Sequence, residues 1–154
     1  MTKTRSSYIA GLLLILSMGD SFRAYASISQ SAPNQPPSCG IRSILNLARY
    51  IGKAPDEKQV SALSQQYPQD QISMLDVQQA GRQVSVQLDG VQATLSELEK
   101  KKQPFIAVLP KHFVFVERVE DDWVRYKEDG GFLIQPRSQF EQVYQNKALV
   151  FAPK

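Results

Sequence analysis

The sequence has little of several features that would point to common functions. It contains one cysteine and one histidine in 154 residues, so neither an internal disulfide nor the usual three or four Cys and His ligands of a metal site are available. Its formal net charge is only +3, and its basic residues form no stripe interleaved with aromatic residues. We therefore expect no bound nucleic acid, no metal and no cofactor.

Long apolar runs are also missing, with one short exception at the N-terminus. Lys3 and Arg5 precede the apolar run 9–16, which is about half the ~20 residues that a membrane-spanning helix needs. Ala24-Tyr25-Ala26 then has the small-large-small pattern that a signal peptidase reads. We predict that residues 1–26 are a signal peptide cleaved near Ala26. The mature protein would then be exported, periplasmic or secreted, with no stable membrane span. A retained signal-anchor is the alternative.

The remaining 128 residues are enough for one domain with its own core. Residues 27–37 are rich in Ser, Gln, Asn and Pro, which predicts an extended lead-in. From Ser38 onward, apolar periodicity predicts three helices over about 39–51, 56–67 and 72–81, a strand at 84–88, and a helix at 94–102. Strands follow at 104–109, 112–119, 123–126, 132–134 and 148–151, with a short helix at 138–144. Helices first and antiparallel strands afterwards indicate an α+β fold.

The single cysteine lies at a position where a thiol is readily activated. Cys39 comes at the first turn of a helix, where unpaired backbone N–H groups and the helix dipole favour the thiolate. Gly40 follows it and would let a substrate carbonyl approach the backbone closely. His112 begins a strand, and a Cys-His pair needs one imidazole to take the thiol proton and return it later. Asp129 or Glu128, at the end of the next strand, could orient the ring.

Each of these residues also has an ordinary structural interpretation. A lone cysteine on a helix is often a small core residue, and a lone histidine at a strand start is often a surface or capping residue. An Asp before Gly-Gly is usually a turn former. Taken singly, none of the three residues distinguishes catalysis from a purely structural role.

Their order and context resemble those of the bacteriocin-processing, or double-glycine leader, cysteine peptidases, a papain-like family. The resemblance spans about residues 34–152 and implies a papain-like peptidase domain over 38–154. It rests on the following segments: Ser38-Cys39-Gly40, Ile72 to Gly81, Leu95-Ser96-Glu97-Leu98, Pro104 to Leu109, His112 to Val116, and the tail from Gly131 through Phe140 to Phe151. It implies Cys39 as nucleophile and His112 as general base.

The resemblance also implies two further roles, at which the sequence departs from the family pattern. The offset of the family's acid, an Asp, falls here on Glu128. We prefer the next residue, Asp129, because a one-residue change in a hairpin is easier to accept than a changed acid. Pro33 occupies the position of the family's oxyanion-hole Gln. Gln35 is the candidate replacement, with Asn34 beside it.

The sequence therefore predicts an exported cysteine peptidase with a Cys39–His112–Asp129 mechanism that cuts peptide or protein substrates, with Gly-Gly leader-type sites as the candidate cleavage sites. A separate export transporter is the partner that the family implies. The main alternative is a catalytically weak or inactive peptidase-like domain that binds peptides for an export or surface system. A purely structural subunit of such an apparatus is the third hypothesis.

Overall fold

The computed structural model of the chain describes residues 36–68, 72–128 and 130–152. The predicted signal peptide 1–26 and all but the last two residues of the lead-in 27–37 lie outside the described residues. Within the described ranges, no helix is both long and apolar enough to cross a membrane.

The described residues form five helices and six strands in an α+β arrangement, as predicted. The helices are α1 (Cys39–Tyr50), α2 (Glu57–Gln66), α3 (Met74–Gln83), α4 (Leu95–Lys101) and α5 (Arg137–Val143). The strands are β1 (Leu88–Gln92), β2 (Phe105–Leu109), β3 (His112–Val119), β4 (Trp123–Glu128), β5 (Gly131–Pro136) and β6 (Lys147–Phe151). All six strands form one antiparallel sheet in the order β1-β6-β2-β3-β4-β5.

Local signals in the sequence set both ends of α1. The Ser38 side chain accepts a bond from the Ile41 N–H at its start. At its end Gly52 adopts φ +77°, a left-handed conformation that glycine tolerates without steric cost. The N–H groups of Gly52 and Lys53 bond back to the carbonyls of Arg49 and Ala48, which is the Schellman arrangement. Between these ends, the apolar face of α1 is buried.

Reciprocal capping boxes begin the next three helices. Ser73 with Asp76 opens α3 and Thr94 with Glu97 opens α4. Asp56 with Gln59 opens α2 in the same way. Each box satisfies backbone N–H groups at a helix start that have no partner within the helix.

The strand predicted at residues 84–88 was misplaced, because β1 begins only at Leu88. Val84 and Val86 are buried and Ser85 between them is exposed, as in a strand, but all three lie in the turn that ends α3. Ser85 has φ +59°, and the Val86 N–H bonds to the Gly81 carbonyl at 2.8 Å, which closes a Schellman turn around a serine. The strand that follows contains Asp89-Gly90, a pair more typical of turns.

The sheet separates two clusters of buried residues. Phe113 and Phe115 of β3 pack in the cluster that contains the apolar residues of α1, whereas Val114 and Val116 pack with Leu98 and Phe140 of the other cluster. This division follows the alternation of side chains along a strand. Because α1 packs on β3, the start of the helix and the start of the strand come close together.

A β-bulge interrupts the pairing of β3 with β4. Val119 lies opposite Val124 and Arg118 opposite Arg125, but the register then shifts so that Val116 lies opposite Tyr126. Glu117 is the extra residue, and its carboxylate lies 3.0 Å from the Arg125 Nε. A bulge of this kind changes which residues at the far end of the hairpin lie opposite each other.

Because α3 closes tightly around Gly81, we predict that one added methyl group at this position strongly lowers the free energy of unfolding. A Cβ at position 81 would lie 2.7 Å from the Val86 carbonyl oxygen and 3.2 Å from Ile44 Cδ1. We expect Gly81→Ala to lower the free energy of unfolding by about 1–3 kcal/mol through overpacking, although alanine favours a helix interior by about 1 kcal/mol. Gly131→Ala, where a Cβ meets nothing within 4 Å, is the matched control. Equal denaturation midpoints for both variants would contradict this packing.

Candidate active site

Cys39 lies half-buried at the first position of α1, where its sulfur is surrounded by hydrogen-bond donors. Burial raises the pKa of the Cys39 thiol, but a hydrogen bond to the His112 side chain, a bond from the Phe113 backbone N–H and the charge of His112 lower it. The N–H of Gly40 adds a smaller contribution in the same direction. The lowering effects prevail, so the pKa lies below that of an ordinary thiol. The site therefore favours a thiolate.

His112 is held at the first position of β3 by a two-residue turn. Leu109 lies opposite His112 in the sheet, and Lys111 between them adopts φ +57°. The hydrogen bond to Cys39 raises the pKa of His112; burial opposes this, while the charges of Cys39 and of the adjacent Glu128 carboxylate raise it further. The shifts of the two residues have opposite signs, as expected for a thiolate–imidazolium pair.

Glu128, at the end of β4, contacts the far side of the His112 ring. The Nε2 of His112 lies 2.8 Å from Glu128 Oε1, and both side chains are about two-thirds buried, with exposures of 27% and 33%. The carboxylate lies away from the N–H direction, since Nε2 has no partner that satisfies hydrogen-bond angles. The contact is therefore an ion pair when the ring is protonated.

The bulge at Glu117 explains why Glu128 has this position. Val119 lies opposite Val124. If the pairing continued from there without a bulge, Glu128 would lie opposite Phe115. With the bulge, Lys127 lies opposite Phe115, which puts residue 128 on the side of the sheet that Val114 faces. Residues diagonally opposite on the same side are within reach of long side chains. Asp129, the acid preferred from the sequence, lies outside the described residues.

Gly40 has a packing role that the sequence did not reveal. A Cβ at this position would lie 2.7 Å from Val77 Cγ2 and 2.9 Å from Ile72 Cδ1. The glycine is thus required because the start of α1 packs closely against the residues around the start of α3. Its buried position agrees with this packing, and the access of a substrate carbonyl to the backbone at Gly40 stays a prediction.

The oxyanion candidates cannot be compared with this geometry, because Pro33, Asn34 and Gln35 lie outside the described residues.

The described walls of the site include several side chains that the sequence did not single out: Arg42, Ser43, Asn46 and Lys127. Helical spacing from Cys39 could have identified Ser43 and Asn46. The Phe113 N–H could not have been identified from residue types, since it is a backbone group.

Neither of two larger cavities in the described part of the chain contains the Cys39–His112 pair. One of about 350 Å³ is lined by residues that include Tyr50, Glu99 and Glu117, and one of about 630 Å³ by residues that include Lys53, Arg82 and Phe151. The reactive pair lies instead in a shallow depression. Among the described residues, no group of three or more His, Cys, Asp or Glu side chains could hold a metal ion.

The lowered pKa of Cys39 predicts a specific pH dependence of its alkylation. The rate with iodoacetamide should rise as the pH rises through the lowered pKa, because the thiolate is the nucleophile. We expect rapid labelling at pH 6, compared with the denatured chain as the control. In His112→Ala, burial would still raise the pKa of the Cys39 thiol, while the hydrogen bond that mainly lowers it is lost. The alkylation rate at pH 6 should therefore fall at least about tenfold. Slow labelling that His112→Ala leaves unchanged would refute the pair.

The contact of Glu128 with the ring predicts a shift in the His112 titration. Because the chain has a single histidine, an NMR titration reports this ring alone. In a Cys39→Ala background, which removes the coupled thiol, Glu128→Gln should lower the His112 pKa since a nearby negative charge is lost. Asp129→Asn is the matched control at the neighbouring position. A larger decrease in Asp129→Asn than in Glu128→Gln would assign the orienting role to Asp129.

Solved structures with similar folds are peptidase domains. A double glycine motif protease from an AMS/PCAT transporter, solved with its leader peptide, has a TM-score of 0.64 and 22% identity over 76% of this chain and 85% of that one. The peptidase domain of Streptococcus ComA, a bi-functional ABC transporter of a quorum sensing pathway, has a TM-score of 0.66 and 14% identity over 79% and 95% of the two chains.

A third structure is the N-terminal peptidase C39 like domain of the toxin secretion ATP-binding protein from Vibrio parahaemolyticus. Its TM-score is 0.65, with 16% identity over 76% of this chain and 98% of that one. No curated protein matches the chain. These likenesses show the papain-like fold. The sequence model of the Peptidase C39 family matches residues 27–154, and the chain therefore belongs to that family.

Proposed function

We propose that this protein is a cysteine peptidase in which Cys39 attacks the peptide carbonyl and His112 transfers the proton. The observation that carries the proposal is the contact of the Cys39 thiol with the His112 ring, which lowers the pKa of the thiol and raises that of the ring. A thiolate beside an imidazolium is the reactive form of a Cys-His pair. Membership of a peptidase family supports the same chemistry.

The first half of the reaction would form an acyl-enzyme. The Cys39 thiolate adds to the carbonyl carbon, and the oxygen takes the negative charge. The backbone N–H of Cys39, at the start of α1, is suited to receive that oxyanion, because the first N–H groups of a helix lack partners within it and the Ile41 N–H is already bonded to the Ser38 side chain. As the carbonyl re-forms and the C–N bond breaks, protonated His112 gives its proton to the leaving amine. A thioester on Cys39 remains.

The second half would release the acid product. Neutral His112 takes a proton from a water molecule, whose oxygen adds to the thioester carbon. Collapse of the second tetrahedral intermediate breaks the C–S bond, and Cys39 leaves as a thiolate beside the reprotonated ring. Glu128 is suited to stabilise the imidazolium and fix its orientation in both halves. The 2.8 Å contact supports Glu128 in this role, with Asp129 as the alternative.

Gly-Gly leader-type sites are the substrate class that we propose. The support is a structural neighbour described as a double glycine motif protease in complex with a leader peptide. Other neighbours are peptidase domains of transporters, which supports a peptide substrate and a separate export transporter as partner. We propose export of this chain because its predicted signal peptide 1–26 precedes the residues that match the family.

A catalytically weak domain that binds peptides without cutting them is the second candidate. Pro33 stands where the family resemblance implies the oxyanion Gln. The loss of one oxyanion donor costs about 10²–10³ in rate. Gln35 would have to supply the missing donor for full activity. In this version the peptide groove is kept while turnover is slow or absent.

Incubation of the full chain with a peptide library containing Gly-Gly sites, followed by mass spectrometry, tests the two candidates. For a peptidase we expect cleavage that Cys39→Ala abolishes and that Glu128→Gln reduces by up to about 10⁴-fold. Gln35→Ala alone should lower the cleavage rate by about 10²–10³-fold, which corresponds to about 3–4 kcal/mol, if Gln35 is the oxyanion donor. Peptide binding with equal affinity by the unmodified chain and Cys39→Ala, without any cleavage, would favour the binding domain instead.

A further inference from the structure

The outer strand of the sheet presents an unusually apolar edge. β5 is the last strand in the sheet order, and three consecutive residues on it are exposed: Phe132 (44%), Leu133 (44%) and Ile134 (69%). Only three other large apolar side chains of the described residues are comparably exposed, and they lie on three different helices. Consecutive side chains face opposite sides of a strand, so both sides of β5 are apolar.

This edge lacks the features that usually prevent strand addition. β5 pairs with β4 on one side and has no other strand neighbour among the described residues. Native edges are commonly protected by lysines, prolines or bulges. Here the register of β5 with β4 is regular over six residues, and the only proline is its last residue, Pro136. An exposed edge of this kind can accept an extended peptide as an additional strand.

The charges beside β5 indicate the chemistry of that peptide. The Lys127 Nζ lies 5.5 Å from the centre of the Phe132 ring, and the Arg125 guanidinium, which also pairs with Glu117, lies 4.4 Å from it. Both cations are therefore on the side of the sheet that Phe132 and Ile134 face. β5 of a second copy (Gly131–Pro136) has no acidic residue that could pair with these cations. A strand with acidic side chains on this side and apolar ones on the Leu133 side fits better.

The position of β5 connects this edge to the reactive pair. Gly131 lies opposite Glu128, which contacts His112. A strand added to β5 would lie three strand spacings, about 14 Å, from β3. An extended linker of at least about four residues would reach from there to a scissile bond at Cys39. A single peptide could thus occupy both places.

We propose that the outer edge of β5 binds an extended segment of the peptide substrate, in which acidic and apolar residues alternate, remote from the scissile bond. This inference rests on the proposed function, because it names the substrate class of the same site. The backbone of the segment pairs with β5, its acidic side chains reach Arg125 and Lys127, and its apolar side chains pack on Leu133.

The test measures binding of a synthetic Val-Glu-Val-Glu-Val-Glu peptide to the full-length Cys39→Ala chain by NMR. We expect shifts of the backbone amides of residues 131–135. A peptide with Lys in place of Glu, or one N-methylated at alternate residues, should bind at least about tenfold more weakly, because the first loses the charge complementarity and the second loses backbone donors. Equal binding of all three peptides would overturn the proposal.

Two protein variants provide the matched comparison. Ile134→Glu places a negative charge beside the acidic side chains of the peptide and should weaken binding about tenfold or more, whereas Leu75→Glu, at a side chain 57% exposed on α3, should leave it unchanged. Equal effects of the two variants would overturn the proposal, as would dimerisation of the chain through β5 in sedimentation. Binding is measured here without hydrolysis. If the peptide does not bind, the chemistry proposed for Cys39 is unaffected, and if the chain proves to be inactive, it could still bind the peptide.

Discussion

The contact between the Cys39 thiol and the His112 ring is the interaction on which the rest of the site depends. It joins the first residue of a helix to the first residue of a strand, so its geometry is set by the packing of α1 on β3. Gly40 against Val77 and the Phe113 ring in the core hold these two element ends in place. Small errors in this packing would separate the two groups and return both pKa values toward their ordinary values.

The order of the elements could be predicted from the sequence because its signals are local. The caps at Ser73 and Thr94, the glycine that ends α1 and the apolar face of that helix lie within a few residues of what they determine. Cys39 and His112 could be selected as the only residues of their types. The family resemblance supplied their pairing, and the structure brings the two residues together.

Features that depend on non-local pairing could not be predicted in this way. The bulge at Glu117 changes the register by one residue, and counting along the hairpin therefore could not choose between Glu128 and Asp129. The contacts of Gly40 come from residues far along the chain. Ser85 ends α3 in a conformation that serine seldom adopts, and the alternation of Val84 and Val86 around it therefore resembled a strand.

The position of β6 has a consequence for how the domain forms. β6 comes last in sequence among the described strands, yet it lies between β1 and β2 in the sheet. Until residues 147–151 have been synthesised, β1 has no strand to pair with and one edge of β2 is open. A chain emerging from the ribosome therefore cannot complete its sheet until residues 147–151 have emerged as well. Loss of only the last strand would open the sheet in its interior and leave β1 without its neighbour.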